Sequence, residues 1–441
     1  MSVTNTADGV GVLRRVDPSS MSLVDLRMPN PDDGHEAHFA SANERSFDWA
    51  GAALADFFPG LPLTRFAQAT DATTFAVGRV SQRLLDTIGA EQKIEWLFQH
   101  AHFEPPTNVR LVRDLEYFDL SAAIATHHGQ FPGGRSRIRV GALAAALDDG
   151  YSLVLDGLDL RDQAWVSLAE LFERVFGCTV NINGYMSTRT QTSFGGHWDD
   201  QEVVIVQLIG QKRWRVERPI ALSPLKSSHG STTSGETVWE GTLKPGDVLY
   251  VPRGWGHLVS GVDELTFHFT ITIPRINGVG VLARSLDMLG AARSIPSRSS
   301  GALPIALCRE QTGELGGEPG ERLGVAYQAA LSHARFLMPT RSTQSLCRLL
   351  DASLSGSWSK LGTRLRSPFP GGTVIAGRSD GEIVVGIGGS MFGVPVDLAA
   401  GTARLLDGMD HDVSRVEAGV PESLAAEGVL VEQPAGVGTQ R

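Results

Sequence analysis

The chain has 441 residues and a formal net charge of −10; 42% of its residues are apolar and 20% are charged. This composition excludes a largely disordered chain and leaves room for two or three domains. The acidic balance argues against an extended nucleic-acid-binding surface and is compatible with a cationic substrate. Three cysteines without paired spacing, and the lack of any visible signal peptide or membrane-spanning stretch, predict a cytoplasmic protein.

The first 45 residues are rich in Asp, Asn, Ser, Pro and Gly and show no sustained periodicity, which predicts a mobile or loosely packed extension. From residue 47 to about 103, apolar residues recur at helical spacing, so short helices are expected to flank the core. Strand and helix patterns then alternate, with a strand at 151–155, closed by the turn residues Asp156 and Gly157, and a helix at 163–176.

The next predicted strand, 179–187, carries Asn183, Tyr185 and Ser187 at alternate positions, so these side chains share one face. If the strand lines a barrel, that face looks into a pocket. A polar edge strand would show the same pattern, and the periodicity does not separate the two.

A metal site is predicted from two histidines and one aspartate. His197 and Asp199 alternate along an extended segment and therefore lie on the same side of it. Later in the chain, His257 follows a turn-forming Arg-Gly-Trp-Gly stretch that fixes where its imidazole points. Two neutral imidazoles and one carboxylate on one face of an iron ion leave the opposite positions open for a cosubstrate and dioxygen. A lone His-x-Asp pair is common by chance, so the prediction depends on the surrounding strands.

Those strands suggest a barrel with a polar interior. Residues 202–209 are almost continuously apolar, which is typical of a strand buried on both faces. Lys212 follows at once; it is either a solvated turn residue or a buried ammonium, which needs an anion such as a dicarboxylate. At 265–273 four large apolar residues alternate with His268, Thr270 and Thr272, and this polar face predicts a wet interior.

Taken together, residues 151–273 resemble the JmjC-domain cupin oxygenases, and specifically the ribosomal-oxygenase-like branch of Fe(II)- and 2-oxoglutarate-dependent hydroxylases. Five motifs in the same order carry the resemblance: Asn183-x-Tyr185-x-Ser187, His197-x-Asp199, Gly210-x-Lys212-x-Trp214, the 243–257 stretch ending Pro-Arg-Gly-Trp-x-His257, and His268-x-Thr270. One departure is Ser187-Thr188, where relatives usually carry Thr-Pro, which puts the local loop geometry in doubt.

The resemblance implies Fe(II) ligation by His197, Asp199 and His257. It further implies 2-oxoglutarate contacts from Lys212, Tyr185, Asn183 and Thr270. The implied fold is α+β, with a double-stranded β-helix (cupin, jelly-roll) core, flanking helices, a helical dimerisation region and a C-terminal winged-helix domain.

The corresponding domains are a polar N-terminal extension at 1–45, a JmjC catalytic domain at 46–275, a helical dimerisation region at 276–365 and a winged-helix-like domain at 366–441. Amphipathic patterns at 279–296 and 322–350 support the helical region, although an intramolecular bundle would show them too. A hairpin around a Ser-Asp-Gly turn near 380 suggests the winged helix. Its acidic helices do not suit phosphate binding, so no nucleic-acid partner is expected.

The expected activity is hydroxylation of an amino-acid side chain in a peptide or protein, such as a ribosomal protein or a ribosomally made peptide. Fe(II), 2-oxoglutarate and O₂ are the expected cofactor and cosubstrates, with decarboxylation of 2-oxoglutarate to succinate. The expected assembly is a homodimer, and the expected substrate is a peptide or protein, including a cationic one. The alternatives are a hydroxylase of a free amino acid or small natural product, and a non-enzymatic cupin or winged-helix regulator.

Overall fold

The computed structural model describes residues 12–16, 33–69, 74–89, 109–127, 135–219, 224–225, 235–288, 355, 364–367, 374–379, 381–387, 390–416, 419–426 and 429–432. The chain divides into two compact units. One consists of residues 1–49 and 276–441, and the other of residues 50–275. Among the described residues, no helix is long and apolar enough to cross a membrane.

The α-helices of the described chain are α1 Gly34–Phe57, α2 Leu63–Gln68, α3 Gln82–Ile88, α4 Val140–Asp148, α5 Gln163–Phe176, α6 Gly278–Met288, α7 Ala399–Leu405 and α8 Val420–Ala426. The strands up to residue 217 are β1 Arg14–Val16, β2 Ala76–Arg79, β3 Val109–Arg113, β4 Glu116–Tyr117, β5 Ile124–His127, β6 Arg135–Ile138, β7 Ser152–Leu155, β8 Asn181–Ser187, β9 Glu202–Ile209 and β10 Lys212–Glu217. The later strands are β11 Thr237–Leu243, β12 Asp247–Val251, β13 Gly256–Ser260, β14 Thr266–Ile273, β15 Arg364–Arg366, β16 Val374–Ser379, β17 Glu382–Ile387, β18 Ser390–Pro395, β19 His411–Asp412 and β20 Val431–Glu432.

Two antiparallel sheets build the core of the 50–275 unit. The larger has eight strands in the order β2-β12-β9-β14-β8-β7-β3-β4, and the smaller has the order β11-β10-β13. Apolar side chains from one face of β9 and β12 pack against Trp214, Val216 and Leu243 of the smaller sheet. The core therefore lies between the two sheets, as alternating apolar residues dictate in a β-sandwich, and this confirms the predicted cupin-type arrangement.

Helix α5 covers the other face of the large sheet. Its start is fixed by Asp162, whose side chain accepts a hydrogen bond from the amide of Ala164 at 2.9 Å. Its end is fixed by Gly177, which has a φ of 64° that glycine adopts without strain. Trp165 packs edge-on against Phe269 of β14, with ring centroids 4.7 Å apart. The predicted helix at 163–176 is confirmed at both ends.

The other unit contains a four-stranded antiparallel sheet in the order β1-β18-β17-β16. Helices α7 and α8 contribute buried residues to the same hydrophobic cluster as this sheet. The predicted hairpin around residue 380 is confirmed by the pairing of β16 with β17. Most of the predicted helical dimerisation region, including 322–350, lies outside the described residues; α6 falls within the predicted 279–296 helix.

The prediction that residues 1–45 form a loosely packed extension is wrong for the parts that the structure describes. Strand β1 pairs with β18, and Phe39 and Ala42 of α1 are buried in the cluster of the C-terminal sheet. Helix α1 also runs through the predicted domain boundary at residue 45. A three-residue strand has too few positions to show a period, and the polar first half of α1 buries few apolar residues, so the sequence pattern concealed both elements.

Candidate metal centre and adjoining cavity

The structure brings His197 and His257 next to each other. The two residues form an antiparallel β-bridge, in which the amide of His197 donates to the carbonyl of His257 at 3.0 Å and the reverse bond is 2.8 Å long. His257 lies in β13, which is held in turn by its pairing with β10. Both imidazoles are buried, with ring centroids 4.3 Å apart. Backbone pairing thus sets the separation of two residues that are far apart in sequence.

Asp199 completes the cluster. One of its carboxylate oxygens lies 3.7 Å from Nε2 of His257 and 4.0 Å from Nε2 of His197. The Asp199 carbonyl accepts a hydrogen bond from the amide of Gly254 at 2.8 Å, which ties its loop to the turn before His257. One donor atom from each of the three side chains lies within 4.8 Å of the others. No other group of three such side chains gathers among the described residues.

The two histidines are oriented for coordination through Nε2. Nδ1 of His197 lies 3.1 Å from the carbonyl oxygen of Gly195, and Nδ1 of His257 lies 3.3 Å from that of Trp255. A carbonyl accepts only, so each Nδ1 carries the proton and each Nε2 presents a lone pair toward Asp199. This donor set of two neutral imidazoles and a carboxylate fits a divalent metal ion.

Lys212 is a buried cation next to this cluster. Lys212 is the first residue of β10 and is only 4% exposed to solvent. Its Nζ donates a hydrogen bond to the backbone carbonyl of Tyr185 at 3.3 Å. Among the described residues no carboxylate forms an ion pair with it. Burial lowers the pKa of Lys212 from 10.5 to about 7. The interpretation of Lys212 as a solvated turn residue is therefore wrong, and the site needs an anion to stabilise its ammonium form.

The remaining predicted residues line one cavity with the histidines, Asp199 and Lys212. The cavity has a volume of about 580 Å³, and Tyr185, Asn183 and Thr270 face it. Burial raises the pKa of Tyr185 to about 12, so its phenol stays protonated at neutral pH. Asn183 also makes a structural contact: its side-chain oxygen accepts a hydrogen bond from the amide of Gly157 at 3.0 Å. The strand 181–187 is thus interior to its sheet and faces a pocket, and the polar-edge alternative is wrong.

Two further residues line the cavity that the sequence did not predict as part of the site. Arg110 of β3 donates two hydrogen bonds, each 2.7 Å long, to the two carboxylate oxygens of Asp156. Both side chains are partly exposed and line the cavity. The sequence predicts Asp156 only as a turn residue after β7, because no local pattern distinguishes a turn aspartate from one that is paired with a neighbouring strand. Pairing of β3 with β7 creates the contact.

A sandwich of two antiparallel β-sheets that holds a His-Asp-His cluster beside a buried lysine defines a cupin-type metal-binding domain. Residues 157–279 match the family model described as the JmjC domain. This stretch of the chain therefore has the sequence features of a JmjC domain.

Part of the chain is also similar in sequence to named relatives. Over 198 residues the chain is 31% identical to "bifunctional lysine-specific demethylase and histidyl-hydroxylase NO66" of Drosophila pseudoobscura pseudoobscura, a match that covers 43% of this chain and 20% of that protein. It is 36% identical over 114 residues to "ribosomal oxygenase 2" of Bos taurus, covering 26% of this chain and 24% of the relative. The chain therefore spans about a fifth to a quarter of the length of these curated relatives.

Among solved structures, the chain resembles ycfD of Escherichia coli, with a TM-score of 0.50, 16% identity, and coverage of 84% of this chain and 98% of that one. A second structure of the same protein, described as a ribosomal oxygenase in complex with cobalt and 2-oxoglutarate, gives the same score, identity and coverage. At this identity the likeness concerns the fold alone.

Proposed function

We propose that this protein is an Fe(II)- and 2-oxoglutarate-dependent hydroxylase that acts on an amino-acid side chain in a peptide or protein. The observation that carries the proposal is the placement of the His197–Asp199–His257 cluster beside the buried Lys212 in one cavity. The cluster offers three ligands on one side of an ion, and Lys212 offers a cation for an acidic cosubstrate.

The residues fit the two groups. The Nε2 atoms of the histidines and the carboxylate of Asp199 would hold Fe(II), which supplies the activation of O₂ that no side chain provides. Lys212 would bind the distal carboxylate of 2-oxoglutarate, since a desolvated ammonium is stabilised by a paired anion. Tyr185 and Thr270 would supply hydroxyl groups to 2-oxoglutarate from the same wall of the cavity. Asn183 would contribute a further contact to 2-oxoglutarate, and its hydrogen bond with the Gly157 amide also holds the turn after β7.

The protein contributes position, charge and exclusion of water. The β-bridge between His197 and His257 fixes the ligand geometry before any cosubstrate binds, so little reorganisation is needed. The aromatic rings of Trp214, Tyr185 and His268 pack against one another and form part of the cavity wall. The products of one cycle are succinate, carbon dioxide and a hydroxylated side chain.

A polypeptide substrate is supported by the relatives, whose names refer to histidyl, lysyl and ribosomal targets. A ribosomal protein is the proposed target class, and the net charge of −10 favours a basic one. Hydroxylation of a free amino acid or small natural product is the competing outcome of the test below.

The proposal extends to the rest of the chain. Residues 276–365 would form a helical dimerisation region, giving a homodimer, and residues 366–441 a winged-helix-like domain that contacts protein instead of nucleic acid. The sheet β16-β17-β18 with helices α7 and α8 supports the winged-helix assignment. A cytoplasmic location is proposed from the unpaired spacing of the cysteines.

The test is a search for a mass increase of one oxygen atom in ribosomal proteins, peptides and free amino acids incubated with the protein, Fe(II) and 2-oxoglutarate. We expect a hydroxylated polypeptide that is formed only with 2-oxoglutarate and is lost in Asp199→Ala. A hydroxylated free amino acid without any modified polypeptide would support the competing substrate class. Failure of the protein to bind 2-oxoglutarate in the presence of metal would overturn the assignment as an oxygenase.

A further inference from the structure

A strained turn lies at the mouth of the cavity. Strands β3 and β4 are joined by Asp114 and Leu115, with φ values of 49° and 69°. Among the described residues only one other non-glycine residue, Asp263, has a positive φ. A two-residue hairpin turn of this kind favours Asn-Gly or Asp-Gly, because a side chain at the second position is strained. Leucine therefore occupies a position where glycine would be relaxed.

The turn is held by the segment that leads to the metal cluster. The amide of Asp114 donates to the carbonyl of Thr192 at 2.8 Å, and the amide of Leu115 donates to the carbonyl of Ser193 at 2.9 Å. The Thr192 hydroxyl also donates to the Asp114 carboxylate at 2.9 Å. Backbone strain persists where surrounding contacts determine the conformation, and such places cluster at functional sites. Here the contacts connect the turn to the stretch that continues to His197.

The side chains of this hairpin are exposed at the cavity rim. Leu115 is 43% exposed and Tyr117 is 62% exposed, yet both line the same cavity as His197 and Lys212. Arg110, whose side chain pairs with Asp156, lines the same cavity. The outer part of the cavity thus combines two apolar surfaces with a paired arginine and aspartate. The inner part holds the residues proposed for metal and 2-oxoglutarate.

We propose that the β3–β4 hairpin is the docking rim for a polypeptide substrate, with Leu115 and Tyr117 contacting the residues that flank the modified side chain. The inference rests on the proposed function and specifies how its substrate is held. A free amino acid would sit inside the cavity and leave Tyr117 in solvent. A side chain carried on a polypeptide instead brings its neighbours against the rim, and burying these two apolar side chains is favourable.

Docking occurs through side chains and not by addition of a strand. Strand β4 lies at the edge of the eight-stranded sheet but consists only of Glu116 and Tyr117. Two residues offer too few backbone groups for a stable added strand. Tyrosine, in contrast, is among the side chains that contribute most of the binding energy in protein interfaces, and an exposed leucine adds apolar area that binding can bury.

The test uses the full chain with Co(II) and 2-oxoglutarate, titrated with fluorescent synthetic peptides that tile the ribosomal proteins. Leu115→Gly removes the side chain and relaxes the positive φ, so it cannot fail through backbone strain. Leu115→Met keeps an apolar side chain and serves as the conservative variant. Leu265→Ala is the matched control, because Leu265 is an exposed leucine of the same unit that does not line the cavity.

We expect Leu115→Gly and Tyr117→Ser to weaken peptide binding about tenfold or more, while Leu115→Met and Leu265→Ala stay within about twofold of wild type. The affinity for 2-oxoglutarate should be unchanged in all four variants. The inference is overturned if peptides bind and Leu115→Gly binds them as tightly as wild type, or if no peptide binds to a protein that binds 2-oxoglutarate normally. Loss of 2-oxoglutarate binding in the wild type would instead count against the proposed function itself.

Discussion

The imidazole of His268 lies parallel to the phenol ring of Tyr185, with ring centroids 4.9 Å apart and planes 9° from parallel. The two residues are register partners on β14 and β8. Burial raises the pKa of Tyr185 to about 12, whereas burial and the charge of Lys212 lower that of His268 well below 6.5. Both rings therefore stay neutral near pH 7, and Lys212 is the group on this wall whose charge changes.

The affinity for 2-oxoglutarate should consequently depend on pH through Lys212. Its pKa in the ligand-free protein is about 7, and a bound dicarboxylate favours the ammonium form. Affinity is then highest below about pH 7 and falls by up to about tenfold per pH unit above it. Calorimetric titrations of the Co(II) protein in buffers of different ionisation enthalpy should detect proton uptake at about pH 8. Constant affinity from about pH 6 to pH 9 would contradict this.

Substitution of the same lysine should have opposite effects on stability and on binding. The folded pKa of about 7 lies below the unfolded value of 10.5, so a destabilising contribution is fully present below about pH 7 and disappears as pH rises toward 10.5. Lys212→Met should raise the melting temperature of the ligand-free protein at neutral pH, with a gain that shrinks at alkaline pH. The same variant should lose the stabilisation that 2-oxoglutarate gives wild type. Destabilisation by Lys212→Met at pH 7 would show that the buried ammonium has an unidentified partner.

Metal binding should depend on Asp199 and not on its neighbour. Asp199→Ala removes one of three converging donors and leaves two imidazoles, so Co(II) affinity should fall by at least about a hundredfold. Asp200→Asn is the matched control, since it lies next in sequence and outside the cluster. Calorimetry with Co(II) measures both. Equal losses in the two variants would indicate a general disturbance of the loop.

The sequence was sufficient for those parts of the site that depend on local periodicity. His197 and Asp199 share a face because strand residues alternate, and His268 and Thr270 could be placed in the interior by the same rule. Local periodicity does not bring His257 to the other two ligands; it was proposed as the third ligand from its residue type and the turn before it, and the β-bridge that joins the two distant segments leaves no local period. The Arg110–Asp156 pair was not predictable for the same reason, since it forms only once β3 and β7 are paired.

Very short strands were also not predictable from the sequence. The three residues of β1 and the two of β4 have no measurable alternation, so tertiary pairing decides their conformation. The strain at Leu115 is a further case, because a leucine in a sequence gives no indication of a left-handed backbone.

A glycine sets the turn that presents Lys212. Gly210 has a φ of 59°, and a Cβ added there would lie 2.3 Å from the carbonyl oxygen of Leu265. Gly210→Ala should cost about 1–3 kcal/mol of unfolding free energy from backbone strain, with further loss from displacement of the Leu265 backbone. Gly141 of α4 is the matched control, since nothing lies within 4 Å of an added Cβ. Gly141→Ala should be neutral or stabilising by up to about 1 kcal/mol. Urea denaturation gives both values, and equal effects at the two positions would contradict the steric explanation.

The N-terminal strand should stabilise the C-terminal sheet. Leu13, next to β1, is 7% exposed and belongs to the same cluster as Ile383 of β17, whereas its neighbour Val12 is 40% exposed. Leu13→Ala should cost about 2–3 kcal/mol and speed hydrogen exchange of the β18 amides, because a cavity opens beside the paired strands. Val12→Ala should change stability by less than half as much. Equal effects of the two substitutions would indicate that residues 12–16 are a loosely attached arm, as their sequence suggests. A larger effect at Leu13 would show that the segment is a structural part of the unit that comprises residues 1–49 and 276–441.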